Sequence, residues 1–194
     1  RAFERLLEQI RKRVAKRGLR DAKIGRIALM SWSAGFSAVK TILDHAAWRE
    51  RIDAVLLLDS LHAGYSDKPQ RVVRESSLIP FVVFGKHALA GDRLMAITHS
   101  AVQTDGYATT TEATSKLLEL LGVARETADP SVHSPPPVTF ATAVAAMPGG
   151  HDGWLKSTSM AHQNNLHVVA YSGREKADHI AHIVQMSVTV LPHL

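Results

Sequence analysis

The sequence predicts an α/β fold, a three-layer sandwich in which helices cover a mostly parallel sheet. Three observations predict it. Four segments, at 24–32, 51–60, 93–100 and 166–173, are apolar almost throughout, too short for helices and without strong alternation, which suits strands buried on both faces. Stretches with apolar residues at helical spacing stand between them. Strand and helix therefore alternate, and short right-handed crossovers turn such alternation into a parallel sheet clad with helices.

A first helix is expected from about residue 2 to Arg17, where Phe3, Leu6, Leu7, Ile10 and Val14 recur at helical spacing and Gly18 occupies the left-handed C-cap position. The strand "IGRIALMSW" follows, then a helix over Ala34 to Asp44 marked by Phe36, Val39, Ile42 and Leu43. "RIDAVLLLDS" is a second strand, ending at Asp59. After a polar loop at 60–77, "IPFVVFGKHALAG" carries Pro80 in its first turn, where the missing N–H costs nothing, and stops at Gly91. "RLMAITHS" is the third strand. In "TTTEATSKLLELLG", Thr109 and Glu112 have capping-box spacing, Leu117, Leu118 and Leu121 form an apolar face, and Gly122 ends the helix. Residues 123–165 break every period at "HSPPP" and "MPGGHDG", so a lid or an irregular insertion is expected there. "LHVVAYSG" is the fourth strand, and a last helix runs from near Glu175 towards Leu191.

Composition narrows the class. A chain of 194 residues that is 45% hydrophobic and 21% charged fits one globular domain, 1–194, able to bury about 70% of its unfolded surface. No apolar run approaches the roughly 20 residues of a membrane span, so a soluble protein is expected. The absence of cysteine excludes disulfides, thiolate metal sites and a cysteine nucleophile. The net charge of +5 is local: residues 1–26 hold ten Lys/Arg against three Asp/Glu, leaving thirteen against fifteen in the remainder. A nucleic-acid arm is one reading of this, and the solvated face of an amphipathic helix is the simpler one.

The chemistry gathers at Ser31-Trp32-Ser33-Ala34-Gly35, a variant of the G-x-S-x-G nucleophile elbow. A serine on a sharp strand-to-helix turn exposes its Oγ at the carboxyl edge of the sheet. Small residues on either side let the backbone fold back, and the next N–H, here that of Ala34, can stabilise an oxyanion. Five letters alone carry little, but these lie between an expected buried strand and an expected helix. The plainer reading makes Ser33 a helix cap.

A serine needs a base on the same edge. "REKADHIAHI", after the fourth strand, offers His179 and, one turn later, His182. Such a pair could also bind a metal, but no further ligands accompany it. The acid that accepts the imidazole N–H is open between Asp105, in the loop after the third strand, and Asp59, at the end of the second. Glu112 is accounted for by its cap. His62 and His99 also fall at carboxyl ends of strands, where ligands of open α/β sheets bind. Trp32, Ala34, His62 and His182 are the candidate substrate-binding residues.

Together "SWSAG" after a strand, "LLLDSLH", "THSAVQTDGY" leading into its capped helix, and "YSGREKADHIAH" resemble the α/β-hydrolase superfamily over residues 24 to about 192, in particular esterase-like bacterial members. The resemblance implies Ser33 as nucleophile, His179 as base, and Asp105 or Asp59 as acid, in a protein of the bacterial cytoplasm or an exported one. It implies hydrolysis of an ester or amide through an acyl-enzyme, a small-molecule or peptide acyl substrate, and neither metal nor organic cofactor. Two departures stand out. Ser31 replaces the first elbow glycine, and the elbow arrives after one helix, whereas the family has several earlier strands and a loop supplying an oxyanion N–H. The chain thus reads as the C-terminal part of a complete fold, its sheet completed by an upstream segment or a partner chain. The alternative function is a non-catalytic binding protein of the same fold, whose exposed sheet edge takes a partner.

Overall fold

The computed structural model describes residues 2–129 and 155–194. The middle of the expected lid, 130–154 with "HSPPP" and "MPGGHDG", lies outside the described residues. Helix α1 (Ala2–Lys16) forms as expected, but of its apolar stripe only Phe3 and Leu7 are buried. On its charged side Glu8 pairs with Arg11. The chain continues through β1 (Ala28–Trp32), α2 (Phe36–Asp44), the short α3 (Ala46–Arg49) and β2 (Ala54–Leu58). The expected loop at 60–77 contains a small antiparallel pair, β3 (Tyr65–Asp67) and β4 (Val72–Val73). Then come α4 (Ile79–Ala90), β5 (Leu94–His99), α5 (Thr110–Leu121) and β6 (Glu126–Thr127). The final elements are β7 (Ser157–Gln163), β8 (Leu166–Tyr171), α6 (Lys176–Val184) and α7 (Met186–Thr189).

The main sheet has the order β1-β2-β5-β8-β7-β6. Its first four strands are parallel, β7 runs antiparallel to β8, and β6 runs antiparallel to β7. From β1 to β8 each crossover steps in the same direction, so right-handed connections put α2, α4 and α5 on one face. There Leu43, Phe81, Phe84 and Leu117 pack on Val55, Leu57, Met95, Ile97 and Val168. The alternate side chains of the same strands, Leu56, Leu58 and Ala96, meet Val190 and Met186 on the other face. The period of two thus feeds two cores, which is why β2 reads as an unbroken apolar run.

Local signals behave as expected where they are strong. Thr109 and Glu112 form the full capping box, and Gly91 and Gly122 end their helices in the left-handed conformation. Glu112 also accepts hydrogen bonds from Arg71 and Tyr65. Strand β7 is invisible in the sequence because "STSMAHQ" is polar and buries only Ser157 and Ala161. A two-residue turn, Asn164-Asn165, joins it to β8, with Asn164 at φ 50°. Both asparagine side chains donate to carbonyls at the end of α4, those of Leu89 and Gly91, which have no helical partner. Among the described residues no helix is long and apolar enough to cross a membrane.

Two histidines in the sheet core make the fold acid-sensitive. Burial pushes His182 down to about 4, and burial together with the Arg125 cation pushes His99 down to about 3. Both are neutral when folded and take up a proton near pH 6.5 when unfolded, so the unfolded chain binds more protons between about pH 4 and pH 6.5. Stability therefore falls as pH drops through that window, by about 1.4 kcal/mol per unit for each histidine fully engaged. The urea midpoint is expected to be clearly lower at pH 5 than at pH 7. Equal midpoints would contradict this assignment.

Candidate active site

Ser33 follows β1 directly and holds φ at 55°, a left-handed conformation that costs a non-glycine residue of the order of 1 kcal/mol or more. A single 3-10 turn, Ser33–Gly35, then leads into α2. The tight fold-back explains the small flanking residues. A Cβ placed on Gly35 would lie 3.1 Å from Cβ of Ser31, closer than side-chain carbons ordinarily pack. Ser31 also ties the turn down. Its Oγ lies 2.7 Å from Oγ of Ser60, and Ser60 donates to the carbonyl of Ser33 at 2.9 Å. Because the Ser60 proton is committed to that carbonyl, Ser31 is the donor to Ser60. The residue that departs from the glycine pattern thus adds a buried tie to the strained residue.

His179 lies in the first turns of α6, with Nδ1 2.7 Å from Oδ2 of Asp59. Asp59, at the carboxyl end of β2, is 1% exposed and also holds a positive φ, 43°. Its Oδ1 accepts from the Ser100 N–H and the Thr110 hydroxyl, and Oδ2 also accepts from the Ser100 hydroxyl. Burial alone would raise this carboxyl, but the bonds from His179, Thr110 and Ser100 outweigh it and hold Asp59 well below the usual carboxylate range. An ionised carboxylate can only accept, so Nδ1 of His179 carries the proton and Nε2 is left as the basic nitrogen.

Trp32 fixes the imidazole from a third side. Its ring stacks on that of His179 at 4.8 Å between centroids and 25° between planes, and its Nε1 donates to the His179 carbonyl at 2.9 Å. The helix start is held by a reciprocal cap, Asp178 accepting from the Glu175 N–H at 2.9 Å.

The other sequence candidates fall differently. Asp105 lies on an exposed bend and makes no hydrogen bond to a histidine among the described residues. His182 is fully buried, with Nδ1 2.7 Å from Oγ1 of Thr98 and its ring edge-on to Tyr171. It cannot reach a substrate, so the expected binding role gives way to a structural one. His99 is likewise buried, against Thr111. Trp32, expected to line the substrate, is half-buried and stacks on the histidine. Ala34 and His62 do line a cavity together with Ser33. Among the described residues no group of three or more His, Asp or Glu is arranged to hold a metal ion.

Ser60, Ser100 and Thr110 were not legible as site residues. The one available signal was position: Ser60 and Ser100 each end an apolar strand, at the edge where Ser33 stands. Comparison with protein-family models, with curated proteins and with solved structures finds no match to this chain.

Proposed function

We propose that this chain is a serine hydrolase of the α/β-hydrolase type, cleaving an ester or amide through an acyl-enzyme. The observation that carries the reading is the 2.7 Å bond from His179 to a buried, ionised Asp59, with the imidazole stacked on Trp32, the residue that precedes the strained Ser33 in the chain. Each part has a chemical task. His179 Nε2 takes the proton of Ser33 as Oγ attacks the carbonyl carbon, and the imidazolium that forms is stabilised by Asp59. The Trp32 face adds a cation–π term that exists only while the ring is charged. The N–H of Ala34, in the first turn after Ser33, would receive the developing oxyanion. His179 then returns the proton to the departing alcohol or amine. Water deacylates Ser33 by the same route in reverse, releasing the acid.

A fluorophosphonate probe is expected to label the protein at Ser33, and Ser33→Ala to abolish labelling and lower ester turnover about 10³-fold or more. A folded protein that resists the probe would turn the reading to its alternative, a non-catalytic binding protein. That alternative draws on β1, which pairs with β2 alone and leaves one edge of the main sheet without a strand neighbour among the described residues.

A further inference from the structure

Ser33 opens on a cavity of about 430 Å³, well above the ~150 Å³ that holds a benzene-sized ligand. Its wall includes Ala34, Phe36, His62, Ala63 and Tyr107, with Lys40 and Ser77 also lining it. The three rings are mutually organised. His62 sits between Phe36 and Tyr107, each 5.3 Å away between centroids and close to edge-on. Such packing gives the wall a fixed shape with apolar faces and edges.

The charge of the wall is also defined. Burial lowers the His62 imidazole from its ordinary value, so it is neutral at pH 7. Its Nδ1 is enclosed, and besides Ser33 the other polar side chains on the wall are Lys40 and Ser77. Lys40 is engaged by Asp44 at 2.7 Å. A ligand carboxylate entering here would give up its water for an ammonium already paired.

His179 is not on this wall. The leaving group must stay within reach of the base that protonates it, so the cavity lies on the other side of the scissile bond. Ala34, the oxyanion donor, does border it, and this places the carbonyl at its mouth.

From this we infer that the cavity holds the acyl side of the substrate, and that the acyl group is uncharged and apolar, larger than acetyl: a medium-length alkyl or an aryl-alkyl acid. This rests on the hydrolase reading above.

The test is a series of p-nitrophenyl esters, from acetate through butyrate to octanoate and phenylacetate, with a succinate monoester as the charged member. Each methylene taken from water is worth about fourfold in binding. We expect kcat/KM to rise at least about tenfold from acetate to octanoate, carried mainly by KM, and the succinate monoester to be a poor substrate. Tyr107→Ala removes one ring of the wall and is expected to lower the octanoate-to-acetate ratio about fivefold. In parallel, methyl octanoate is titrated into Ser33→Ala protein while the His62 imidazole is followed by NMR. A protein that labels at Ser33 but shows a flat, acetate-preferring or succinate-preferring profile overturns the inference and leaves the hydrolase reading standing. A protein that does not label but shifts His62 on adding methyl octanoate overturns the hydrolase reading and keeps the apolar cavity. Neither labelling nor a shift overturns both.

Discussion

Asp59→Asn is expected to lower ester turnover about 10⁴-fold, whereas Asp105→Asn leaves it within about twofold. The asparagine keeps the shape of the side chain and tolerates the left-handed backbone that Asp59 adopts at φ 43°. What it removes is the charge. An amide nitrogen in place of Oδ2 presents N–H where His179 Nδ1 and the Ser100 hydroxyl both require an acceptor. The imidazole then favours the tautomer with its proton on Nε2, which cannot take the Ser33 proton. The fold is expected to weaken as well, because the four donors around Asp59 lose an ionic acceptor, so turnover is compared at a temperature where circular dichroism shows both variants folded. Loss of activity in Asp105→Asn with retention in Asp59→Asn would move the acid to the loop after β5.

Gly173→Ala is expected to be the most damaging substitution that touches no polar group of the site. Gly173 holds φ at 135°, a conformation open almost only to glycine, and a Cβ there would overlap Cγ of Asp178. Asp178 is committed to the Glu175 N–H at the start of α6, so it cannot yield without uncapping the helix that carries His179. The Gly173 carbonyl also accepts from Ala101, beyond the end of β5. Positive φ and a clash with a fixed side chain together are expected to cost about 3 kcal/mol or more. The predicted readout is a fall in melting temperature with a loss of turnover larger than the unfolded fraction accounts for. A melting temperature within a degree or two of the parent would show that the loop relaxes freely.

How much of this was legible follows from what each residue must satisfy locally. Strands β2 and β5 are buried on both faces, so their apolar runs announced them. The cap at Thr109 and Glu112 satisfies helix donors within four residues, and its signature is complete in the sequence. Strand β7 gave no signal because a polar strand next to the sheet edge needs no apolar pattern. The elbow was legible because its steric demand falls on adjacent residues, Ser31 and Gly35. The choice between Asp105 and Asp59 was not, since it depends on which carboxylate the fold brings to His179, 120 residues away from Asp59. The structure brings the strand end to His179, and its neighbours Ser100 and Thr110 are anonymous until the sheet is assembled. His182, which the sequence left open as a neighbour of His179 or a packing residue, is turned by the helix into the core against Thr98.

The sheet order has a consequence for how the protein acquires its site. Trp32 and His179, in contact through ring and hydrogen bond, are separated by 147 positions, and the strands that position Ser33, Asp59, Ser100 and His179 are β1, β2, β5 and β8. Contacts this distant close slowly, because the chain between them must be ordered before they can form. The site therefore cannot be complete until all four strands are in place. A partly folded chain carries the strand-turn-helix around Ser33 without an oriented histidine, so on the proposed reading labelling at Ser33 is expected only once the sheet is complete.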